Sequence, residues 1–183
     1  MTMQSMITPD ADEARDNAVF EVLMNTAARP GTILSLEAAN STKQSMQEIA
    51  LALVDIETSF HCDDEAFQDF VSLTGALNVA PHEADFLFIF KDALAALGQA
   101  KTGDALYPDE AATIVMQAKL QGGQVLTLSG PGIETTTTIA PQIAVEFWNA
   151  REKRIRYPSG FDLVLVDGAQ ILSLPRSTKI EVQ

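Results

Sequence analysis

Ala84-Asp85-Phe86-Leu87-Phe88-Ile89-Phe90 is an almost unbroken apolar run with charge on either side. Successive side chains of a strand point to opposite faces, so a run like this needs cover on both. That suits a strand at the centre of a three-layer α/β/α domain. Helix and strand signals alternate along the rest of the chain, which argues for α/β rather than separate helical and β blocks. Thr8, with Pro9 at the first helical position, opens a helix carrying Ala14, Ala18, Val22 and Leu23 inward. Ala28-Arg29-Pro30-Gly31 stops it, and residues 32–36 read as a short strand. A second helix starts near Ser41 or Thr42 and runs through Met46, Ile49, Ala50, Leu53 and Val54. Residues 58–62 read as a strand, with Asp63 capping a helix that holds Phe67, Phe70 and Val71.

Two hairpins are expected further on. Residues 113–120 and 124–129 flank Gln121-Gly122-Gly123. Residues 161–166 and 169–174 face each other across Asp167-Gly168, the strongest short-range turn signal in the chain. Between them a helix over about residues 142–154 carries Val145, Phe147 and Trp148. Hairpins among alternating helices imply a mixed sheet. The 183 residues suit one domain spanning residues 1–183.

Charge narrows the function classes. With 25 acidic residues against 12 Lys and Arg, the net charge is −13, which excludes a nucleic-acid binder that works by displacing counterions. One cysteine, Cys62, rules out an internal disulfide framework and fits a reducing compartment. Residues 1–10 lack a basic segment followed by an apolar run, and no stretch reaches the roughly 18 apolar residues of a membrane span. A cytoplasmic protein is therefore expected. Arg151, Lys153, Arg154 and Arg156 cluster beside the only tryptophan, Trp148. They read either as a solvated helix C-terminus that complements the dipole or as a docking and anion-steering patch.

No catalytic constellation is evident. His61 and His82 lack metal-ligand spacing, and Cys62 has no second thiol, so no metal is expected. There is no Gly-x-Ser-x-Gly elbow either. Gly130-Pro131-Gly132 follows an apolar strand and could bring backbone N–H groups to an anion, but Pro131 removes one donor and a tight turn explains it equally. Arg176, with Ser177 and Thr178, could fork onto a phosphate or phosphonate; its structural alternative is an ion pair with Asp162. In the hairpin register counted from Asp167-Gly168, Ser173 faces Asp162 and Arg176 lies just beyond.

Several short blocks, in order, resemble the PhnH family of the bacterial carbon–phosphorus lyase system. They are Phe20 with Ala27 and Arg29-Pro30-Gly31; Ala52-Leu53-Val54-Asp55-Ile56-Glu57-Thr58; Thr74-Gly75-Ala76; and Glu83-Ala84-Asp85-Phe86. Gly103, Pro108 and Ala112-Thr113 follow, then Leu128-Ser129-Gly130-Pro131-Gly132-Ile133, Ile139-Ala140-Pro141, Tyr157-Pro158-Ser159-Gly160-Phe161-Asp162-Leu163 and Leu174-Pro175-Arg176-Ser177-Thr178. Glu21, Ser159 and Ser177 depart from residues frequent in that family.

The resemblance implies a mixed-sheet fold similar to that of pyridoxal-phosphate-dependent transferases, without their cofactor. Lys91 is the one lysine at a strand mouth, and it lies outside the family's pattern. The resemblance also implies a homodimer when isolated, and a place beside the G, I and J subunits in a two-fold core complex. With the G, I and L proteins such a subunit supports formation of a ribose 1-phosphonate 5-triphosphate from ATP and a phosphonate. An assembly role follows, with no catalytic residue assigned. The alternative is a stand-alone enzyme or binding module for a phosphorylated or phosphonate metabolite, using Arg176, Ser177, Thr178, Gly130 and Gly132.

Overall fold

A computed structural model describes residues 10–183 of the chain. The expected helix start at Thr8 and Pro9 lies outside the described residues. Helix α1 (Ala11–Ala28) is capped by Asp10, whose carboxylate accepts the Asp12 and Glu13 N–H groups in a capping box with Glu13. Val19, Leu23 and Thr26 are its buried residues, whereas Ala14 and Ala18 are exposed, contrary to the expected inward face. Strand β1 (Leu34–Ser35) is shorter than the five residues read from sequence. Helix α2 (Thr42–Leu53) begins at Ser41, whose hydroxyl accepts the Gln44 N–H.

Strands β2 (Ser59–Cys62), β3 (Leu77–Asn78) and β4 (Phe86–Ile89) frame helices α3 (Glu65–Ser72) and α4 (Ala93–Gln99). A single 3₁₀ turn at Pro108–Glu110 precedes β5 (Thr113–Gln117). Strands β6 (Leu126–Ser129) and β7 (Thr137–Ile139) then lead to α5 (Val145–Arg154), β8 (Asp162–Asp167), β9 (Gln170–Leu174) and β10 (Lys179–Val182).

Seven strands form one mixed sheet in the order β1-β9-β8-β5-β4-β2-β3, in which β9 alone runs against the others. Side chains alternate between two apolar clusters. Leu87, Ile114 and Leu163 join α4 and α5 on one side; Phe88, Val115 and Val164 join α1, α2 and α3 on the other. Phe67 of α3 is fully buried against Phe88 and Phe90, with ring centroids 5.3 and 5.0 Å away.

The expected hairpin between residues 113–120 and 124–129 does not form. β5 lies between β4 and β8 in the large sheet, while β6 pairs with β7 and β10 in a separate three-stranded sheet. The Gly122-Gly123 pair serves a different purpose. A Cβ on Gly123 would sit 2.0 Å from the Pro141 carbonyl oxygen, so the glycine admits a neighbouring segment.

The β8–β9 hairpin does form, with a register shifted by two residues. Asp167 pairs with Gln170 and Ser173 with Val164, so the turn residues are Gly168 and Ala169. A shift of two leaves each side chain on its original face. Helix α2 docks on this turn: Thr42 Oγ1 accepts the Gly168 N–H at 2.8 Å and Ser45 Oγ donates to the Gly168 carbonyl at 2.6 Å.

Asp85 ties the N-terminal edge of the sheet. Its Oδ2 accepts the Ser59 N–H (2.8 Å) and hydroxyl (2.6 Å), and its Oδ1 meets Lys101 Nζ at 2.5 Å. Burial pushes this carboxyl upward, but the bonds from Lys101 and Ser59 outweigh it and hold it below the ordinary value of 3.8. A lowered carboxylate stabilises the fold fully above its unfolded pKa, and that contribution is lost as pH falls through the folded value. The urea midpoint should therefore drop as pH is taken from about 5 toward about 2, and Asp85→Asn should flatten part of that slope. An unchanged slope in the variant would assign the acid sensitivity to other carboxylates.

Candidate functional site

In an open α/β sheet, ligands seat outside the carboxyl ends of the strands where adjacent connections leave in opposite directions. Here that point lies between β2 and β4. β2 leads through α3 to β3 at one edge, and β4 leads through α4 to β5 on the other side. Asp63, just past β2, spans this crevice. Its Oδ1 accepts the Phe90 N–H at 2.7 Å; its Oδ2 accepts those of Lys91 (2.8 Å) and Asp92 (3.1 Å). Lys91 Nζ closes the loop by donating to the Asp63 carbonyl at 3.0 Å. Asp63 was expected to cap α3; Asp64 does so instead, accepting the Phe67 N–H at 3.0 Å. Of two adjacent acids only one can be the cap, and the other reaches the segment just past β4, beginning 27 residues away.

The C-terminal blocks meet around Arg176. Its Nη2 and Nε lie 2.6 and 3.3 Å from the two Asp162 carboxylate oxygens, and its backbone N–H donates to the same carboxylate at 2.7 Å. Nη1 donates to the Pro108 carbonyl. The register shift brings this about, since the ladder ends at Leu163–Leu174 and places Arg176 beside Asp162. Ser177 is half-buried and Thr178 buried. Gly130 has φ +131° and packs against the Ser177 carbonyl, where an added Cβ would sit 2.8 Å away. Gly132, at φ +81°, lies under the last turn of α1, and a Cβ there would stand 2.0 Å from the Ala28 carbonyl. These glycines use their freedom for contact between backbones.

The basic cluster on α5 divides. Lys153 and Arg156 are exposed, as the solvated reading expects. Arg154 instead bonds the carbonyls of Gly98 (2.6 Å) and Ala100 (2.5 Å) at the end of α4. Arg151 is buried beside Phe147 and Trp148, donating to the carbonyls of Thr178 (3.2 Å) and Pro175 (2.9 Å). Burial pulls its pKa down to about 10, against the pull of Asp162, so it stays protonated at neutral pH. The spacing 147, 148, 151 is one helical face, and that signal marks Arg151 as inward. Arg151, Arg176, Ser177 and Thr178 all line one cleft of about 350 Å³.

His61 Nδ1 lies 3.1 Å from the Val79 carbonyl, and burial pushes the Cys62 thiol up to about 11, which disfavours a reactive thiolate. Among the described residues, no group of three or more His, Cys, Asp or Glu gathers as a metal site. Among them too, no helix is long and apolar enough to cross a membrane.

Comparison with known proteins adds relatives to this geometry. Residues 10–181 match the family described as bacterial phosphonate metabolism protein (PhnH). The chain is 34% identical over 200 residues to the alpha-D-ribose 1-methylphosphonate 5-triphosphate synthase subunit PhnH of Rhizobium meliloti (strain 1021), covering 99% of each. It is 27% identical over 173 residues to HtxG of Stutzerimonas stutzeri, whose provisional name is C-P lyase subunit protein, covering 92% of this chain and 87% of HtxG.

Two substitutions test the backbone reading of these blocks. Gly132→Ala forces a Cβ onto the Ala28 carbonyl at an unfavourable φ and should cost at least about 2 kcal/mol in urea unfolding. A double-mutant cycle with Arg176→Ala and Asp162→Asn should return a coupling of about 1–3 kcal/mol, because the pair is mostly shielded and the contact bidentate. Coupling near zero would mean that Asp162 does not hold the arginine.

Proposed function

The chain belongs to the PhnH family of bacterial phosphonate metabolism proteins, and from that membership we propose that it works as a subunit of a carbon–phosphorus lyase complex in phosphonate catabolism. Its contribution is assembly, and the bond-making chemistry belongs to its partners. The observation that carries this is Asp63. The crevice where an α/β sheet ordinarily seats its ligand is bridged by the chain's own carboxylate on three backbone N–H groups. Any anion entering there would have to displace a covalently tethered one.

The name of the Rhizobium meliloti relative is that of a subunit of a synthase of alpha-D-ribose 1-methylphosphonate 5-triphosphate. We read this chain as supporting formation of such a ribose 1-phosphonate 5-triphosphate, with ATP and a phosphonate as the reactants that the family resemblance implies. We read the chain as one cytoplasmic domain, layered as an α/β/α sandwich similar to the pyridoxal-phosphate transferases but without the cofactor. It is a homodimer when isolated and joins G-, I- and J-type subunits in the complex. The exposed Phe20 and Met24, one turn apart on α1, suit the subunit contact. A groove of about 630 Å³, lined by Ala14, Ala18, Val22 and Leu34 among others, runs along a different face of the same helix.

Co-expression with the G, I and J subunits and purification through a tag on one of them should bring this chain down in stoichiometric amount. A chain that stays alone among them would remove the subunit reading, and turnover of a phosphorylated or phosphonate metabolite by the purified chain would favour the stand-alone alternative. The double substitution Phe20→Glu with Met24→Glu should reduce co-elution at least about tenfold, since two charges enter a desolvated contact. Both positions are about half exposed, so the variant's own stability should stay within about 0.5 kcal/mol per site.

A further inference from the structure

Trp148, Arg151 and Thr178 line the same cleft between α5 and the β9–β10 connection. They are only 3%, 3% and 1% exposed, yet each retains a polar atom with no partner among the described residues: Trp148 Nε1, Arg151 Nε and Thr178 Oγ1. Arg151 is the most telling. No carboxylate lies in ion-pair range of it among the described residues, and only two carbonyls accept from it, although a guanidinium carries five N–H donors. Asp162 acts on it only from beyond ion-pair distance and is itself held by Arg176, and a buried cation without a contacting counter-ion is expensive.

The chemistry of the three groups selects the counter-ion. The indole nitrogen and the guanidinium only donate, and a threonine hydroxyl can do so, which suits an acceptor-rich ligand. Three donors on separate side chains match the oxygens of a tetrahedral anion better than the two of a planar carboxylate.

Charge around the cleft is balanced, where the molecule as a whole is strongly acidic. Arg151, Lys153, Arg154, Arg156, Arg176 and Lys179 are six of the chain's 12 Lys and Arg. Arg151, Arg176 and Lys179 line this cleft, opposed by the exposed Glu152 and Glu181 and by Asp162 on Arg176.

We propose that this cleft binds a tetrahedral oxyanion of the phosphate or phosphonate class, with Arg151 as its charge partner and Trp148 and Thr178 as further donors. The site differs from the Arg176-centred one expected from sequence, because the Arg176 fork is already turned onto Asp162. It does not depend on the assembly role: failure to join the complex would leave the site standing, and an empty cleft would leave the subunit reading intact.

Trp148 is the chain's only tryptophan, so its fluorescence reports directly on the cleft. The full chain is titrated separately with inorganic phosphate, methylphosphonate and acetate, at constant ionic strength held with potassium chloride. A saturable change with phosphate or methylphosphonate is expected, and the stronger of the two names the source of the oxyanion. Thr178→Val, which keeps the shape and removes an atom that bonds nothing, should weaken the apparent affinity about fivefold, the value of one hydrogen bond. Arg151→Lys should weaken it by at least as much; if that variant does not fold, Thr178→Val decides alone. A response that never saturates, that acetate matches, or that Thr178→Val leaves unchanged would overturn the proposal.

Discussion

Phe88, Val115 and Val164 enter one apolar cluster while their neighbours Leu87, Ile114 and Leu163 enter the other. Burial on both faces of β4, β5 and β8 is the constraint on which the rest of the structure depends. A strand dry on two sides must find its backbone partners within the sheet, and helices must cover both faces. Polar residues are thereby driven to the two ends of the strands. At one end Asp85 joins Ser59 and Lys101; at the other Asp63 gathers the N–H groups of residues 90–92. Both carboxylates act as connectors between strands that are adjacent in space and about 25 residues apart in sequence.

The Gly- and Pro-containing blocks do a second job at the edge of this sheet. Gly132 lies under the Ala28 carbonyl just before the Arg29-Pro30-Gly31 stop, Gly130 against the Ser177 carbonyl, and Gly160 against Arg176. Arg176 in turn holds Asp162 and the Pro108 carbonyl. Blocks scattered over more than a hundred residues thus touch one another, and substituting any one would disturb its neighbour. Together they form one joint between the two sheets.

How much of this was legible follows from the range of the forces involved. The two-sided run at residues 84–90, the Ser41 cap and the β8–β9 turn rest on local chemistry, and the structure contains them. The strand at β5 is legible but its partners are not, because Gln121-Gly122-Gly123 offers a local hairpin signal, whereas β5 pairs with the distant β4 and β8 and Gly123 makes room for Pro141. Arg176 and Asp162 were paired as one alternative despite a register off by two, since long side chains tolerate that error. The buried roles of Asp63 and Arg151 are not legible in the sequence, for a common reason. Each sits where charge usually means solvent, and only tertiary contact gives it a buried role.

Arg151 also sets a limit on how the molecule can be purely a scaffold. A subunit selected only for packing would tend to lose a desolvated cation, because an apolar side chain of similar volume in such a place is often neutral or stabilising. Arg154, three residues on, shows the structural solution: both of its contacts are carbonyls that close the end of α4, and it remains half-exposed. Arg151 has two carbonyls as well, and each arginine leaves its Nε without a partner, but Arg151 lies deeper and beside two further unpaired polar groups. The difference between these two arginines on one helix is the physical reason for assigning structure to one and a ligand to the other.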